Sequence, residues 1–172
     1  MHDIKYARME TIDHLLLDSA PGRYLLPLLL LVIANTAAWA AARIFGTDLA
    51  APLDFGITLR DGTRLLGGNK TWRGLISAAI ACAVVTQTLH LGLLGGALFG
   101  TLALTGDAAA SFVKRRLRID PGAEILGLDQ LPEALFPLLI LQRPLGLGFM
   151  ECLIIAASFA LLDIAATKMR QL

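Results

Sequence analysis

Charge is scarce in this chain, and so are the side chains that build most soluble active sites. Only 17% of the 172 residues are charged, against 56% hydrophobic, and the mean hydropathy is +0.66. A soluble domain rarely exceeds half apolar, so this composition argues against an ordinary water-soluble fold and points to the lipid phase. Cys82 and Cys152 are the two cysteines, and each lies inside an apolar run. Their spacing excludes a disulfide framework or a zinc site, and both read as small apolar helix residues. The three histidines, His2, His14 and His90, are scattered and form no ligand set. A net charge of +1 gives no sign of a nucleic-acid partner.

What the chain has instead is long apolar runs. Leu25 to Phe45 is twenty-one residues, about 32 Å at helical rise, enough for the hydrocarbon core. Arg23, Tyr24 and Arg43 flank it at headgroup depth, and Asn35 sits mid-span as a candidate for a bond across helices. Gly74 to Leu89 and Leu91 to Leu104 are the second and third runs, the third continuing as a helix toward Leu117. Only His90-Leu91-Gly92 joins them, so these two helices are expected as antiparallel neighbours. Gly92, Gly95, Gly96 and Gly100 make a small-residue seam that lets helices approach closely. Leu131 to Leu141 is apolar but covers only about 16 Å, too short to cross alone. Leu147 to Ala166 is the last run.

Two polar loops interrupt these runs, Gly46 to Arg73 and Lys114 to Asp129. With the C-terminal tail, and with Arg43 counted beside the first loop, they hold eleven Lys and Arg. Lys5, Arg8, Arg23 and Arg143 fall on the other side. The positive-inside rule then places both long loops and the C-terminus in the cytoplasm. The expectation is an all-α polytopic integral membrane bundle of about five transmembrane helices, in the cell membrane. The competing topology makes the short fourth helix re-entrant. Residues 1–22 read as an interfacial helix or arm ended by Pro21-Gly22, and 23–172 as one membrane-embedded domain.

The chemistry-bearing residues cluster in the loops. Gly62 to Gly74 is a glycine-rich turn followed by Lys70-Thr71 and a helix start. Backbone N–H groups there, with Lys70 and Arg73, suit a phosphate. Asn69 before the lysine excludes a Walker loop, and a positively charged flank with a glycine turn is the plainer reading. Asp107, Ser111, Lys114 and Arg118 recur at helical spacing and share one face. Asp107 follows a long apolar stretch, where a carboxylate is costly unless paired or metal-bound. Lys114 on its own helix is one possible partner. Asp129 fits either a helix cap or a site. Two acids at one membrane face amid Lys and Arg suit a magnesium-bound polyphosphate. Glu133, Glu151 and Asp163 lie near or within apolar runs and are left without a role.

These residues carry a resemblance. Asp61-Gly62, Gly67 to Gly74 (GGNKTWRG), Gly106-Asp107, Ser111 to Arg116 (SFVKRR), Pro121-Gly122 and Leu128-Asp129-Gln130-Leu131 resemble the CDP-archaeol synthase family. That family is related to the phosphatidate cytidylyltransferases, and the resemblance runs from about Pro27 to Pro144. It implies a five-helix membrane enzyme that transfers CMP from CTP to a lipid phosphate with Mg²⁺, releasing pyrophosphate. By position, Asp107 and Asp129 would be metal ligands. Lys70, Arg73, Lys114, Arg115 and Arg116 would bind the triphosphate or lipid phosphate. Asp61, Gly67, Gly68, Thr71, Ser111 and Gln130 would cradle the nucleotide or hold its loop. This chain departs at Gly68-Asn69, where the family often has Gly-Asp-Gly, and so lacks one acid of the first loop.

The chemistry fits the residues without the resemblance. A lipid phosphate monoester, with a second pKa near ~6, is largely dianionic at neutral pH and needs no strong base to act as a nucleophile. The barrier is repulsion between anions plus charge on the leaving group, which cations relieve. A non-catalytic protein whose basic loops bind anionic headgroups or nucleotide is the other class. It has no need of Asp107 and Asp129. A transporter would call for a repeat, and none is visible.

Overall fold

The computed structural model describes residues 20–120, 123 and 125–170. Five helices follow one another: α1 (Ala20–Phe45), α2 (Trp72–Thr88), α3 (Leu93–Arg116), α4 (Gln130–Ile140) and α5 (Phe149–Arg170). The described residues form no strand beyond two isolated bridges, Pro52 with Thr71 and Thr58 with Arg64. The fold is therefore all-α, in the element order that the apolar runs predict. The arm expected over 1–22 falls outside the described residues up to 19, as do Pro121 and Gly122 of the second loop.

Three helices are long and apolar enough to cross a membrane, over Gly22–Phe45, Leu93–Arg116 and Phe149–Met169. α2, at 17 residues, and α4, at 11, are shorter. The sequence places a break at Pro21-Gly22, but α1 runs through both from Ala20. Proline is tolerated in a first helical turn, where its missing N–H has no partner to lose. α3 continues unbroken from the apolar run to Arg116, so Asp107 and Lys114 ride on one rigid element.

The core lies where the five helices meet. Leu31 and Ala34 of α1, Ala78 and Cys82 of α2, Phe99 and Ala103 of α3, Leu138 of α4, and Ile155 and Phe159 of α5 are all buried. Both cysteines behave as small core residues, their thiols directed at the carbonyls of Leu30 and Leu138. Outward-facing Ile76, Ile80, Leu94, Leu98, Ile154 and Leu161 stay exposed, as a lipid-facing surface requires.

Glycines set the closest crossings. α2 and α3 are antiparallel neighbours joined through His90 and Gly92, both at positive φ (61° and 93°). A Cβ on Gly100 would lie 2.5 Å from the Ala78 carbonyl oxygen, and one on Gly96 would meet the Cys82 carbonyl and the Thr86 hydroxyl. Gly92 and Gly95 face open space, so the predicted seam is carried by Gly96 and Gly100 alone. On α3's opposite side, Gly106 presses on the backbone of Pro132 and Glu133, fixing α4 beside Asp107.

Candidate active site

The first loop is folded around one carboxylate. Asp54 is fully buried at its side chain and accepts hydrogen bonds from the Leu66 N–H (2.9 Å), the Gly56 N–H (3.0 Å) and Arg64 (2.9 Å). Burial alone would raise its pKa. The two backbone donors and the Arg64 guanidinium outweigh that and hold it below the usual carboxylate range. Residues 57–65 double back through Leu59 N–H to Thr63 O and Leu65 N–H to Ile57 O, each 2.9 Å. The strip then pairs with itself near α2, where Leu53 N–H bonds Lys70 O (2.8 Å) and Trp72 N–H bonds Ala51 O (3.0 Å). Thr71 caps α2 by accepting the Gly74 N–H at 3.3 Å. These bonds hold Lys70 at the lip of the helix bundle.

From there the Lys70 ammonium reaches Asp107 of α3, Nζ to Oδ2 2.5 Å. Lys114, two turns further along α3, reaches Asp129 at the same distance and also donates to the Ala123 carbonyl at 3.0 Å. Asp107 thus does not pair within its helix, and its partner comes from the first loop. Asp129 stands at the cap position of α4 but makes no side-chain cap bond. Its second oxygen accepts the Ile125 N–H at 3.0 Å, which ties down the end of the second loop. Gln130 accepts from Gly127 N–H (3.0 Å) and donates to Asp163 of α5 (3.3 Å), while Asn35 of α1 donates to the other Asp163 oxygen (3.0 Å). The mid-span Asn35 therefore does bond across helices.

Apart from Lys114, which stands behind Asp129 and does not line it, these side chains surround a cavity of about 380 Å³. Asn69, Lys70 and Thr71 enter it from the first loop, Asp107 from α3, Asp129 from the end of the second loop, Gln130 and Glu133 from α4, and Asn35 and Asp163 from α1 and α5. Glu133 and Asp163 are additions that the sequence reading left without a role. Glu133 is only 6% exposed and has no hydrogen bond or ion pair among the described residues. A signal was available for each. Glu133 follows Asp129 by four residues, one helical turn, and an acid inside an apolar run marks a functional site by default.

Other expected site residues do not line this cavity. Arg73 donates to the carbonyls of Gly46 (3.0 Å) and Asp48 (2.6 Å), bracing the loop entrance. Arg116 binds Asp61 (2.6 Å) and the Arg64 carbonyl (2.7 Å), tying α3 to the first loop. The N–H and hydroxyl of Thr63, with Arg116 beyond them, hold the Asp61 carboxyl below its usual pKa. Ser111 is buried beneath the glycine turn, 3.7 Å from where a Gly67 Cβ would stand. Arg118, expected on one face with Asp107, follows the C-cap Leu117 and has φ +56°, so it leaves that face. Gly67, Gly68, Arg115 and Arg118 instead line a second cavity of about 550 Å³.

The first cavity brings four carboxylates and a lysine to the point where both loops meet. Its oxygens are the hard donors that a divalent cation of the Mg²⁺ class takes. No three His, Cys, Asp or Glu side chains among the described residues converge closely enough to hold a metal as they stand. The fit lies in donor type and in the uncompensated Glu133 carboxylate.

Known proteins resemble this chain in sequence and in fold. The CDP-archaeol synthase of Pyrococcus furiosus is 40% identical over 89 residues, covering 46% of this chain and 53% of the relative. That of Methanothermobacter thermautotrophicus is 46% identical over 101 residues, 55% of this chain and 58% of the relative. The chain thus spans about half the length of the curated relatives it matches. A solved structure described as an intramembrane enzyme for archaeal membrane lipids biosynthesis aligns with TM-score 0.69 at 33% identity, covering 83% of this chain and 91% of that one. Residues 23–168, which include every described side chain of both cavities, match the family model CarS-like, CDP-archaeol synthase. An all-helical bundle with apolar spans, this membrane protein belongs to the CarS-like CDP-archaeol synthase family.

Proposed function

We propose that this chain transfers CMP from CTP to a lipid phosphate. A lipid phosphate oxygen forms a bond to the α-phosphorus, the bond from that phosphorus to the bridging oxygen breaks, and pyrophosphate leaves with the electron pair. One observation carries the reading: Lys70, Asp107 and Asp129, distant in sequence, face a single cavity at the meeting of the two loops. A patch that only bound anionic headgroups would gain nothing from the acids.

Asp107 and Asp129 are the residues to hold Mg²⁺, with Glu133 and Asp163 adjoining. Bound there, Mg²⁺ would offset phosphate charge and act as a Lewis acid on the reacting phosphoryl group. The chain's own side chains do the rest. Lys70 supplies an ammonium group to phosphate oxygens, Lys114 orients Asp129 from behind, Thr71 and Gln130 shape the wall, and Arg73, Arg116 and Asp61 hold the first loop in position. The dianionic acceptor needs no base. The lipid tail would lie among the exposed apolar side chains. The distribution of Lys and Arg supports five spans, with both long loops and the C-terminus cytoplasmic.

The test uses the full chain in lipid, CTP labelled at the α-phosphate and a mixed pool of lipid phosphates. Label should enter lipid as pyrophosphate appears, and mass spectrometry of the product identifies the acceptor. Asp107→Asn and Asp129→Asn should abolish Mg²⁺-dependent turnover while the protein stays folded. Near wild-type rates in either variant would refute its metal role, and absence of labelled lipid with every acceptor would refute the transfer.

A further inference from the structure

The first loop carries apolar side chains that its own fold leaves uncovered. Leu49 and Phe55 are 70% and 74% exposed, and Ile57 is half-exposed. None of the three belongs to the buried core or lines either cavity. The backbone is bent to present them. Leu49 and Phe55 have φ +54° and +48°, a left-handed conformation that bulky residues rarely adopt. Two turns around Asp54 impose it at Phe55. Phe55 N–H bonds the Pro52 carbonyl (3.1 Å), Gly56 N–H bonds the Asp54 carboxylate (3.0 Å) and Ile57 N–H bonds the Asp54 carbonyl (2.9 Å). At Leu49, Arg73 pins the carbonyls of Gly46 and Asp48 just before it.

The direction in which this patch faces is set by α2. Trp72, Ile76, Ile80 and Val84 recur every four residues and are all exposed, so they form the outer stripe of that helix. The Phe55 ring lies against Trp72, centroids 6.1 Å apart. Phe55 therefore carries the lipid-facing stripe of α2 beyond the first residue of the helix. On the other flank, exposed Ile44 and Phe45 at the end of α1 lead toward Leu49. Between residues 43 and 60 the exposed charges are Arg43, Asp48 and Arg60, so the margin of the patch is weakly basic. An apolar surface continuous with a membrane span, edged by a tryptophan and by arginines, suits the headgroup–acyl boundary.

We propose that Leu49, Phe55 and Ile57, with Trp72, enter the bilayer at that boundary, so that the first loop is a membrane-docked lip of the first cavity. Leu53 N–H to Lys70 O and Trp72 N–H to Ala51 O tie the docked segment to Lys70. Docking thereby holds the cavity mouth at the depth of lipid phosphates. This consequence for turnover rests on the CMP-transfer reading, but the docking itself does not.

The experiment places a spin label at Ile57→Cys in the full chain, reconstituted in vesicles of phosphatidylcholine and phosphatidylglycerol. Cys82 and Cys152 are buried, and the chain without the added cysteine controls for their labelling. Relaxation by oxygen, which concentrates in lipid, is compared with relaxation by a nickel chelate, which stays in water. The label at residue 57 should follow a lipid reference at Ile80→Cys and differ from a water reference at Asp120→Cys, both exposed positions. Adding Leu49→Ser and Phe55→Ser should raise its nickel accessibility about threefold or more, since both anchoring side chains are lost. A water-like label in the wild-type loop would overturn the proposal, as would no response to the two serines. A label screened from both reagents would also overturn it, because a second copy or another protein would then cover the patch. In a parallel arm, Phe55→Ser should raise KM for a long-chain lipid phosphate about threefold or more and leave KM for CTP within about twofold. An equal rise in both would refute the role in turnover. Lipid-like labelling without any CMP transfer would leave the docking standing and remove the reading of the first cavity.

Discussion

The Lys70–Asp107 pair joins the first loop to α3 at the cavity, beside the separate tie that Arg116 makes to Asp61, and its strength can be measured. At 2.5 Å, and with an effective dielectric constant near ~20, the gross attraction is about 6–7 kcal/mol. The two side chains keep 16% and 20% of their exposure, so each was largely stripped of water to form the pair. Desolvation cancels most of the attraction, leaving a net coupling of about 1–3 kcal/mol. Lys70→Met, Asp107→Asn and the double variant close a thermodynamic cycle. Reversible unfolding in mixed micelles, followed by circular dichroism, gives the three stability changes. Each single variant should cost more than the double variant would imply if the sites were independent, because each leaves a partly buried charge or amide facing the wrong partner. A coupling energy under about 0.5 kcal/mol would mean that the pair does not help hold Lys70 against α3.

Three further predictions follow from single contacts. Gly106→Ala puts a methyl group into the Pro132–Glu133 backbone and should destabilise the bundle by about 1–3 kcal/mol, whereas Gly95→Ala, facing open space, should be near neutral in the same melt. Asp54 has its pKa lowered by folding, so the stability it contributes is full above about pH 4, the ordinary carboxylate range, and is lost as pH falls through its depressed folded value. Asp54→Asn should therefore speed amide exchange at Leu66 and Gly56 at pH 7, and the gap from wild type should close in acid; an equal gap at both pH values would refute the role. Glu133→Gln should weaken Mn²⁺ binding, read by electron paramagnetic resonance without substrate, by about tenfold; unchanged affinity would place Glu133 outside the metal's surroundings.

The helices were legible because lipid permits few solutions. Apolar runs bounded by Arg23, Arg43 and the two loops have to be helical to satisfy their own backbone. The tight His90–Gly92 link and the glycines at 96 and 100 follow from the same constraint. Boundaries were less legible. Pro21-Gly22 reads as a breaker from residue type, yet a first turn tolerates both. The short α4 was visible as too few residues, but its angle was not, because Gly106 sets it through a contact with Pro132 that no local pattern encodes.

Pairing was the part that sequence could not decide. Asp107 and Lys114 lie seven residues apart on one helix, so an internal pair and two cross-loop pairs predict the same spacing. The structure selects Lys70–Asp107 and Lys114–Asp129, and the difference matters because the second arrangement closes a cavity and the first does not. Glu133 and Asp163 were passed over for a related reason. Each sits near or within an apolar run that explains its neighbours, and only convergence from α4 and α5 gives the two acids a common purpose.

The basic residues that orient such a chain in a membrane then divide by what they touch. Arg73 and Arg116 spend their donors on carbonyls and on Asp61, and they give the first loop its shape. Lys70 and Lys114 neutralise the acids of the first cavity. Arg115 alone among these is buried with its donors unspent. A count of positive charge treats all five as equal, and the motif SFVKRR treats its own three alike. Burial without a partner separates them, because a guanidinium kept out of water and unpaired is costly. The unpaired cation of the second cavity and the unpaired Glu133 of the first are thus matched features. Each lies on its own side of the Gly67–Lys70 turn.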